Sequence, residues 1–452
     1  MPEHIFRAYD VRGVYGHDLS DEVAYLIGRA FGAYLGSRGR VLVTRDVRLS
    51  GPQLSKSLVD GLTESGVDVL LGGVATTPMC YFGVEHYKAD GGVSVTASHN
   101  PPEWNGFKMI LKGGETISAG AGMEEIKDMV LNRRFKTPDG RGSVEEVKLA
   151  DSYVEFMKGR FGEMQGLKVA VDYSDGASVF VVPRIFSGLR VEVVGINDNP
   201  DGYFRGHPPE PNEETLKPLQ RLVVEMGCDF GVGFDGDADR AVFIDDRGRL
   251  LEGDVTLAVF VKHWPKKGKV IYDVNSSTAL REVAERHGFQ PVEWRVGRAF
   301  ILRKVREEAA VLGGEKSNHL YFGELNGLDD AVYAALVMAR IIHESGRRLS
   351  EVVDEIPRYP TTPILTYGFP DELKFRAIDY IAERLGAMGY RISRLDGVKA
   401  YADDGWVLVR ASNTMPQVKM SVEAKTPERL EELKKLGEKL IEEARMGMKT
   451  GG

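Results

Sequence analysis

Gly92-Val93-Ser94-Val95-Thr96-Ala97-Ser98-His99-Asn100-Pro101-Pro102, residues 92–102, is the stretch on which the reading of the fold turns. Its valines sit among small residues and give a short buried strand, which then breaks into serine, asparagine and proline, residues that favour turns. A strand covered on both faces belongs to a parallel sheet flanked by helices, and open sheets of that kind place ligands at the carboxyl ends of their strands. Ser98 stands at such an end. The same punctuation recurs at 41–43, 67–71, 169–171, 191–194, 270–272 and 311–312, where short β-branched runs end near glycine or aspartate and lead into helical patterns. Seven predicted parallel strands exceed one compact sheet of usual size. At about 150 residues per domain, 452 residues suggest roughly three domains.

The texture changes after Pro363. Ile378, Ile381 and Leu385 have helical spacing, whereas 406–409 and 418–422 read as strands. From Thr426 the chain predicts a helix with threonine as N-cap, Pro427 at the first helical position and Leu430, Leu433, Leu436 and Leu440 on one face, a stripe suited to core packing. The expected fold is α/β: three successive mixed α/β domains of similar design, then a smaller C-terminal α+β domain. The expected divisions are 1–150, 151–246, 247–359 and 360–452, with linkers sought at 132–142, 245–248 and 357–363.

Lys and Arg number 59 against 67 Asp and Glu, a formal charge of −8, which disfavours binding to nucleic acid through its phosphates. A hydrophobic content of 42% with 28% charged residues is that of a folded chain rather than a disordered one. The longest apolar run, Ala331 to Ala339, falls far below the roughly 18 residues of a membrane span, so no membrane partner is expected. The first ten residues, MPEHIFRAYD, carry no basic leader or apolar core and predict no signal peptide. Cys80 and Cys228 provide neither a disulfide framework nor zinc spacing, in keeping with a reducing, cytoplasmic location.

Four segments carry chemistry. In Gly233-Phe234-Asp235-Gly236-Asp237-Ala238-Asp239-Arg240, an extended segment would put three carboxylates on one side of the chain. They would repel one another unless a hard cation joined them, and Mg²⁺ suits oxygen ligands. An EF-hand is disfavoured because Arg240 occupies the sixth loop position; a solvated acidic turn is the plain alternative. In the second segment Ser98 offers a nucleophile or phosphate carrier, with His99 as a base and Lys108 as a cation nearby. A purely structural loop is the alternative there, and no G-x-S-x-G elbow marks a hydrolase. The third, Gly313-Gly314-Glu315-Lys316-Ser317-Asn318-His319, offers Glu315, Ser317 and His319 to sugar hydroxyls, or forms an ordinary loop. The fourth, Arg410-Ala411-Ser412-Asn413-Thr414-Met415-Pro416, combines a guanidinium, hydroxyls and an amide as a phosphate clamp, or makes a tight polar turn.

In this order and at these separations, the four segments resemble the α-D-phosphohexomutase superfamily over essentially the whole chain. Phe6-Arg7-Ala8-Tyr9-Asp10-Val11-Arg12-Gly13 is similar to the opening motif of its phosphomannomutase/phosphoglucomutase branch, and Asn199-Pro200-Asp201-Gly202-Tyr203 with Pro209-Glu210-Pro211-Asn212 also matches the superfamily. The resemblance implies four domains around a central cleft. It makes Ser98 the phosphoserine, and Asp235, Asp237 and Asp239 the holders of Mg²⁺ together with a phosphoserine oxygen. Arg240 would support the reacting phosphoryl group, with His99 and Lys108 beside it, and His319 or Lys108 would move the proton. Glu315, Ser317 and His319 would contact the sugar, Tyr9 and Arg12 would line the cleft, and Arg410, Ser412, Asn413 and Thr414 would bind the other phosphate; Arg298, where an imidazole is usual, adds a cationic fork expected to reach the sugar or its phosphate.

The implied reaction is a mutase cycle between C1 and the terminal C6 hydroxyl through a bisphosphate, with mannose or glucose phosphates as default substrates and a sugar bisphosphate as activator. The chain departs from the family at Asn318, where a second glycine is usual; at 294–298, where Thr-Gly-His is usual; at Asp273-Val274-Asn275, which lacks the lysine found in the bacterial hexose enzymes; and at Met415, in place of a common glutamate. These changes cluster where the sugar is read, so a phosphopentomutase is an alternative, as is a phosphoglucosamine mutase. Readings of another class are a metal-dependent glycosyltransferase, a phosphatase and a non-catalytic regulator that binds sugar phosphates.

Overall fold

The computed structural model describes residues 2–135, 138, 140–412 and 415–449, the last three by backbone alone. Of the linker expected at 132–142, Lys136, Thr137 and Asp139 lie outside the described residues. The chain gathers into two compact units: Met1–Thr256 with Ser317–Val353, and Leu257–Lys316 with Asp354–Gly452.

The first unit contains two sheets. In one, the strands run in the order Val11–Val14, Trp104–Leu111, Gly91–Val95, Arg40–Arg45, Asp68–Val74 and Val144–Glu146. Arg40–Arg45 is parallel to both its neighbours, as apolar runs joined by helical crossovers require. Every residue of Gly91–Val95 is buried. Trp104–Leu111 pairs antiparallel with it and sets Lys108 opposite Ser94. Helices Asp21–Tyr34 and Gly51–Glu64 cover this sheet and cross closely: a Cβ on Gly28 would lie 2.2 Å from the Leu58 carbonyl oxygen, and one on Gly61 2.1 Å from that of Tyr25.

The second sheet orders Leu250–Leu251, Ala241–Asp245, Phe230–Phe234, Lys168–Asp172 and Glu192–Ile196. Lys168–Asp172 is again parallel to both neighbours. Phe230–Phe234 returns through a tight turn to the antiparallel Ala241–Asp245. The stretch expected as a linker at 245–248 forms the next hairpin, with Gly248 at φ +79°. The apolar run at 331–339 lies in the helix Ala331–Ser345, whose first turn is capped by Asp330 accepting from Tyr333 N at 2.9 Å.

In the second unit, Lys269–Asp273 lies parallel between Gln290–Trp294 and Leu312–Gly314. A separate antiparallel sheet orders Leu365–Gly368, Gln417–Ala424, Gly405–Ala411, Val398–Ala402 and Arg391–Ser393. Its core takes Ile378, Ile381 and Leu385 from one helix, and Leu433 and Leu440 from the helix Pro427–Lys449. Thr426 caps that last helix, accepting from Arg429 N at 3.2 Å. Each of the seven strands expected to be parallel has at least one parallel neighbour, although Gly91–Val95 also pairs antiparallel on its other side. Among the described residues no helix is long and apolar enough to cross a membrane.

Candidate functional site

Beyond Val95 the backbone turns sharply and places Ser98 at φ +53°, a left-handed conformation unusual for a residue with a side chain. Ser98 N donates to Thr96 Oγ1 at 2.9 Å, and Ser98 Oγ donates to Asp235 Oδ2 at 2.8 Å. His99 Nδ1 lies 3.2 Å from the same hydroxyl. Burial, helped by the positive charges of Arg240 and Arg12, pushes the His99 imidazole down to about 2. At neutral pH the ring is therefore uncharged and a weak base, and the acceptor that the hydroxyl meets is Asp235 Oδ2.

The three carboxylates of the acidic loop converge, but not by the alternation of an extended strand. Residues 235–239 form a turn with Ala238 at φ +52°, and Asp235 Oδ1 accepts from Asp239 N at 3.0 Å and Arg240 N at 3.1 Å. This fold-back brings one oxygen from each of Asp235, Asp237 and Asp239 within 4.8 Å of the others, all in buried residues. Burial, then Asp239 and Asp237, raise the Asp235 carboxyl well above its ordinary value. Asp237 moves the other way: burial and Asp239 oppose ionisation, and the Lys108 ammonium with the Thr77 hydroxyl outweighs them. Lys108 Nζ donates to Asp237 Oδ2 at 2.7 Å and to Asp239 Oδ2 at 2.5 Å, and Thr77 Oγ1 donates to Asp237 Oδ2 at 2.5 Å. The other oxygen, Asp237 Oδ1, is buried with no hydrogen-bond partner among the described residues. An all-oxygen set with an unserved buried oxygen fits a hard divalent cation.

Arg240 and His319 flank this loop. His319 Nε2 lies 3.4 Å from Arg240 Nε and 3.3 Å from Asp239 Oδ1, so it can accept from one or donate to the other, and Nδ1 lies 3.3 Å from Ser317 Oγ. Arg240 Nη1 is 3.8 Å from Glu210 Oε1. Arg12 donates to Asn100 Oδ1 at 2.5 Å and pairs with Asp10; half-buried Tyr9 precedes its strand. Asn318 sits at φ +69°, the backbone region that favours glycine and that asparagine tolerates best among the rest. The first unit thus brings together Ser98, His99, Lys108, the three aspartates, Arg240 and His319.

In the second unit, hydrogen bonds run from Glu315 to the backbone at Val296 and Gly297 and from there to Asp396 and Arg410. Buried Glu315 accepts from Gly297 N at 2.8 Å, immediately before the helix Arg298–Glu307. Val296 N donates to Asp396 Oδ2 at 3.0 Å, and the same oxygen takes Arg410 Nη2 at 2.8 Å. Ser412 is buried and accepts from Met415 N at 3.2 Å. Asn413 and Thr414 lie outside the described residues. Sequence reasoning missed Thr77, Thr96 and Asp396, as well as the buried pair Asp46 and Arg48. The signal available for the pair was a charged Asp-x-Arg directly after the strand Arg40–Arg45.

Four family domains match the chain: phosphoglucomutase/phosphomannomutase α/β/α domain I at residues 3–137, domain II at 151–248, domain III at 252–359 and the C-terminal domain at 370–436. A phosphoglucomutase/phosphomannomutase of Thermococcus kodakarensis is 36% identical, covering 98% of this chain and 99% of the relative. A phosphomannomutase/phosphoglucomutase of Pseudomonas aeruginosa is 35% identical over 96% of this chain and 94% of its own. The crystal structure of a phosphoglucomutase/phosphomannomutase family protein from Burkholderia thailandensis superposes with a TM-score of 0.92 at 32% identity, covering 98% of each chain.

Proposed function

This chain belongs to the phosphoglucomutase/phosphomannomutase family, in the α-D-phosphohexomutase superfamily, and from that premise we propose how its residues divide the work of a phosphosugar mutase. The names of its relatives lend no support to a glycosyltransferase, a phosphatase, a non-catalytic regulator or a pentose enzyme. Its substrates are glucose or mannose phosphates, interconverted between C1 and C6 in the cytoplasm. The observation that carries the reading is Ser98 Oγ at 2.8 Å from Asp235, beside a carboxylate trio that leaves an Asp237 oxygen unserved.

In the resting enzyme Ser98 carries a phosphoryl group. The sugar hydroxyl attacks phosphorus, the bond to Ser98 Oγ breaks, and the hydroxyl proton passes to a base; the bisphosphate then returns its other phosphoryl group to Ser98 by the reverse sequence. His319 suits the proton transfer, because its Nε2 faces both a donor and an acceptor. Lys108 and Arg240 offset charge on the transferring oxygens. Asp235, Asp237 and Asp239 would hold Mg²⁺ with a phosphoserine oxygen, and the ion supplies charge stabilisation when bound. Glu315, Ser317, His319, Tyr9, Arg12 and Arg298 read the sugar, while Arg410, Ser412, Asn413 and Thr414 take the non-reacting phosphate. A trace of sugar bisphosphate primes the cycle by phosphorylating Ser98. Divisions near residues 150, 246 and 359 separate the four segments.

A coupled assay with glucose 1-phosphate and mannose 1-phosphate, Mg²⁺ and a trace of glucose 1,6-bisphosphate tests the proposal. Formation of the 6-phosphates with no nucleotide added and no inorganic phosphate released is expected. Release of phosphate, or a requirement for a nucleotide-sugar, overturns it.

A further inference from the structure

Arg48 is fully buried, and its guanidinium is spent on the backbone of the Ser98 loop. Nη2 donates to Ser98 O at 2.8 Å and Asn100 O at 2.6 Å; Nη1 donates to Pro101 O at 2.5 Å and Trp104 O at 2.9 Å. Nε donates to Asp46 Oδ2 at 3.1 Å, which also accepts from Thr96 Oγ1 at 2.7 Å. Because Thr96 Oγ1 accepts from Ser98 N at 2.9 Å, both backbone polar groups of Ser98 are tied to one buried ion pair, its oxygen directly and its N–H through Thr96. The left-handed region is sterically unfavourable for a residue with a side chain, so something must hold Ser98 there.

The motif at 199–203, which the proposed chemistry leaves without a task, leads directly into the cover of this bracket. Phe204 follows it at φ +50°, and its ring centre lies 5.0 Å from Arg48 Cζ. Gly202 lets that loop approach: a Cβ there would lie 2.6 Å from the Val47 carbonyl oxygen. Gly236 does the same for the acidic loop, since a Cβ would lie 2.8 Å from Ser98 O and 3.4 Å from the Phe204 ring. The ion pair thus meets both backbone polar groups of the serine, Arg48 at its carbonyl oxygen and Asp46, through Thr96, at its N–H.

We infer that Arg48, paired with Asp46 and covered by Phe204, is a positioning residue for phosphoryl transfer: it holds Ser98 in the left-handed conformation that aims Oγ at the acidic loop, and the 199–204 loop shields that guanidinium from water. The inference rests on the mutase reading. Lysine keeps the charge but has three donors in place of a planar fork of five, so Arg48→Lys cannot serve the same carbonyls. Misplacing the nucleophile while leaving every substrate contact intact is expected to lower kcat about 100-fold, with KM within about threefold. Loss of stability alone would lower Tm without changing kcat per folded molecule.

The test combines kcat and KM of Arg48→Lys and Thr96→Val on glucose 1-phosphate with the crystal structure of whichever variant folds. Thr96→Val removes only the hydroxyl that links Asp46 to Ser98 N and is expected to lower kcat about tenfold. In the crystal structure Ser98 is expected to leave positive φ and Oγ to lose Asp235. Native kcat in a folded variant, a loss confined to KM, or an unchanged Ser98 conformation overturns the inference. An inactive native enzyme overturns the mutase reading instead, while the Ser98 conformation in the variant still judges the bracket.

Discussion

At Asp237 a charged carboxylate is buried with one oxygen served by Lys108 and Thr77 and the other by nothing described. Such an arrangement is costly until a cation enters. Asp237→Asn is therefore expected to lower turnover by about 100-fold or more, as loss of one electrostatic stabiliser does. In chelator, its Tm should match or exceed that of the native protein, because carboxylate repulsion is relieved. Millimolar Mg²⁺ should raise Tm of the native chain and not of the variant, by linkage of binding to folding; thermal melts with and without the ion check this. At Asn318, φ +69° means that glycine should be accepted and a β-branched residue should cost about 1–2 kcal/mol, measurable by denaturant titration of Asn318→Gly and Asn318→Val. The residue types of this site were legible in the sequence, since aspartate, serine, lysine and histidine announce their chemistry. Arg48 was not: its partners are carbonyl oxygens of Ser98, Asn100, Pro101 and Trp104, groups that every residue carries and no sequence pattern marks.

Among the elements, the parallel strands were legible because burial on both faces leaves uninterrupted apolar runs such as 41–43 and 169–171. Trp104–Leu111 escaped notice because its Asn105 and Lys108 break that pattern; both are buried through specific bonds, Lys108 to Asp237 and Asp239 and Asn105 to Ser50. The converging aspartates misled by their spacing, since the i, i+2, i+4 pattern belongs to a strand and a turn produced the same convergence. Helix crossing at Gly28 and Gly61 leaves no room for a methyl group against backbone, so Gly61→Ala should lower Tm by forcing the helices apart, at a cost of about 1–3 kcal/mol. Activity of the folded fraction should be unchanged. Asp330, capping the helix Ala331–Ser345 and accepting from Tyr153 OH, is raised to about 7, by burial first, with Asp329 adding to it. Its folded value exceeds its unfolded one, so its contribution is full below the unfolded pKa near 4 and is lost as pH rises through about 7. Across that window stability should fall by up to about 1.4 kcal/mol per pH unit from this group, and Asp330→Asn should flatten the slope in denaturation series run from pH 4 to 8.

For the molecule as a whole, the question is how one enzyme accepts its bisphosphate in two orientations yet still chooses its sugar. Whichever phosphate is not reacting must find the same anchor, so the anchor cannot discriminate. Arg410 is the residue proposed for that role: a guanidinium offers a planar fork that matches phosphate oxygens, and this one is fixed by Asp396 Oδ2 at 2.8 Å. Discrimination falls to groups that pair individual hydroxyls, because a sugar that leaves buried polar groups unpaired is rejected. Arg298 begins its helix right after Gly297, whose N–H is fixed by Glu315, so the two are set together. Arg410→Ala is accordingly expected to lower kcat/KM for glucose, mannose and ribose 1-phosphates by a common factor of about 100, the size of one charge-assisted phosphate contact. Arg298→His restores the imidazole usual in the family and should instead change the ratio of hexose to pentose kcat/KM, severalfold, while leaving inorganic phosphate as a competitor of unchanged strength. Parallel kinetics on the three substrates separate the outcomes: a ratio that moves with Arg410→Ala and stays fixed with Arg298→His would mean that phosphate anchoring and sugar reading are not divided between these two arginines.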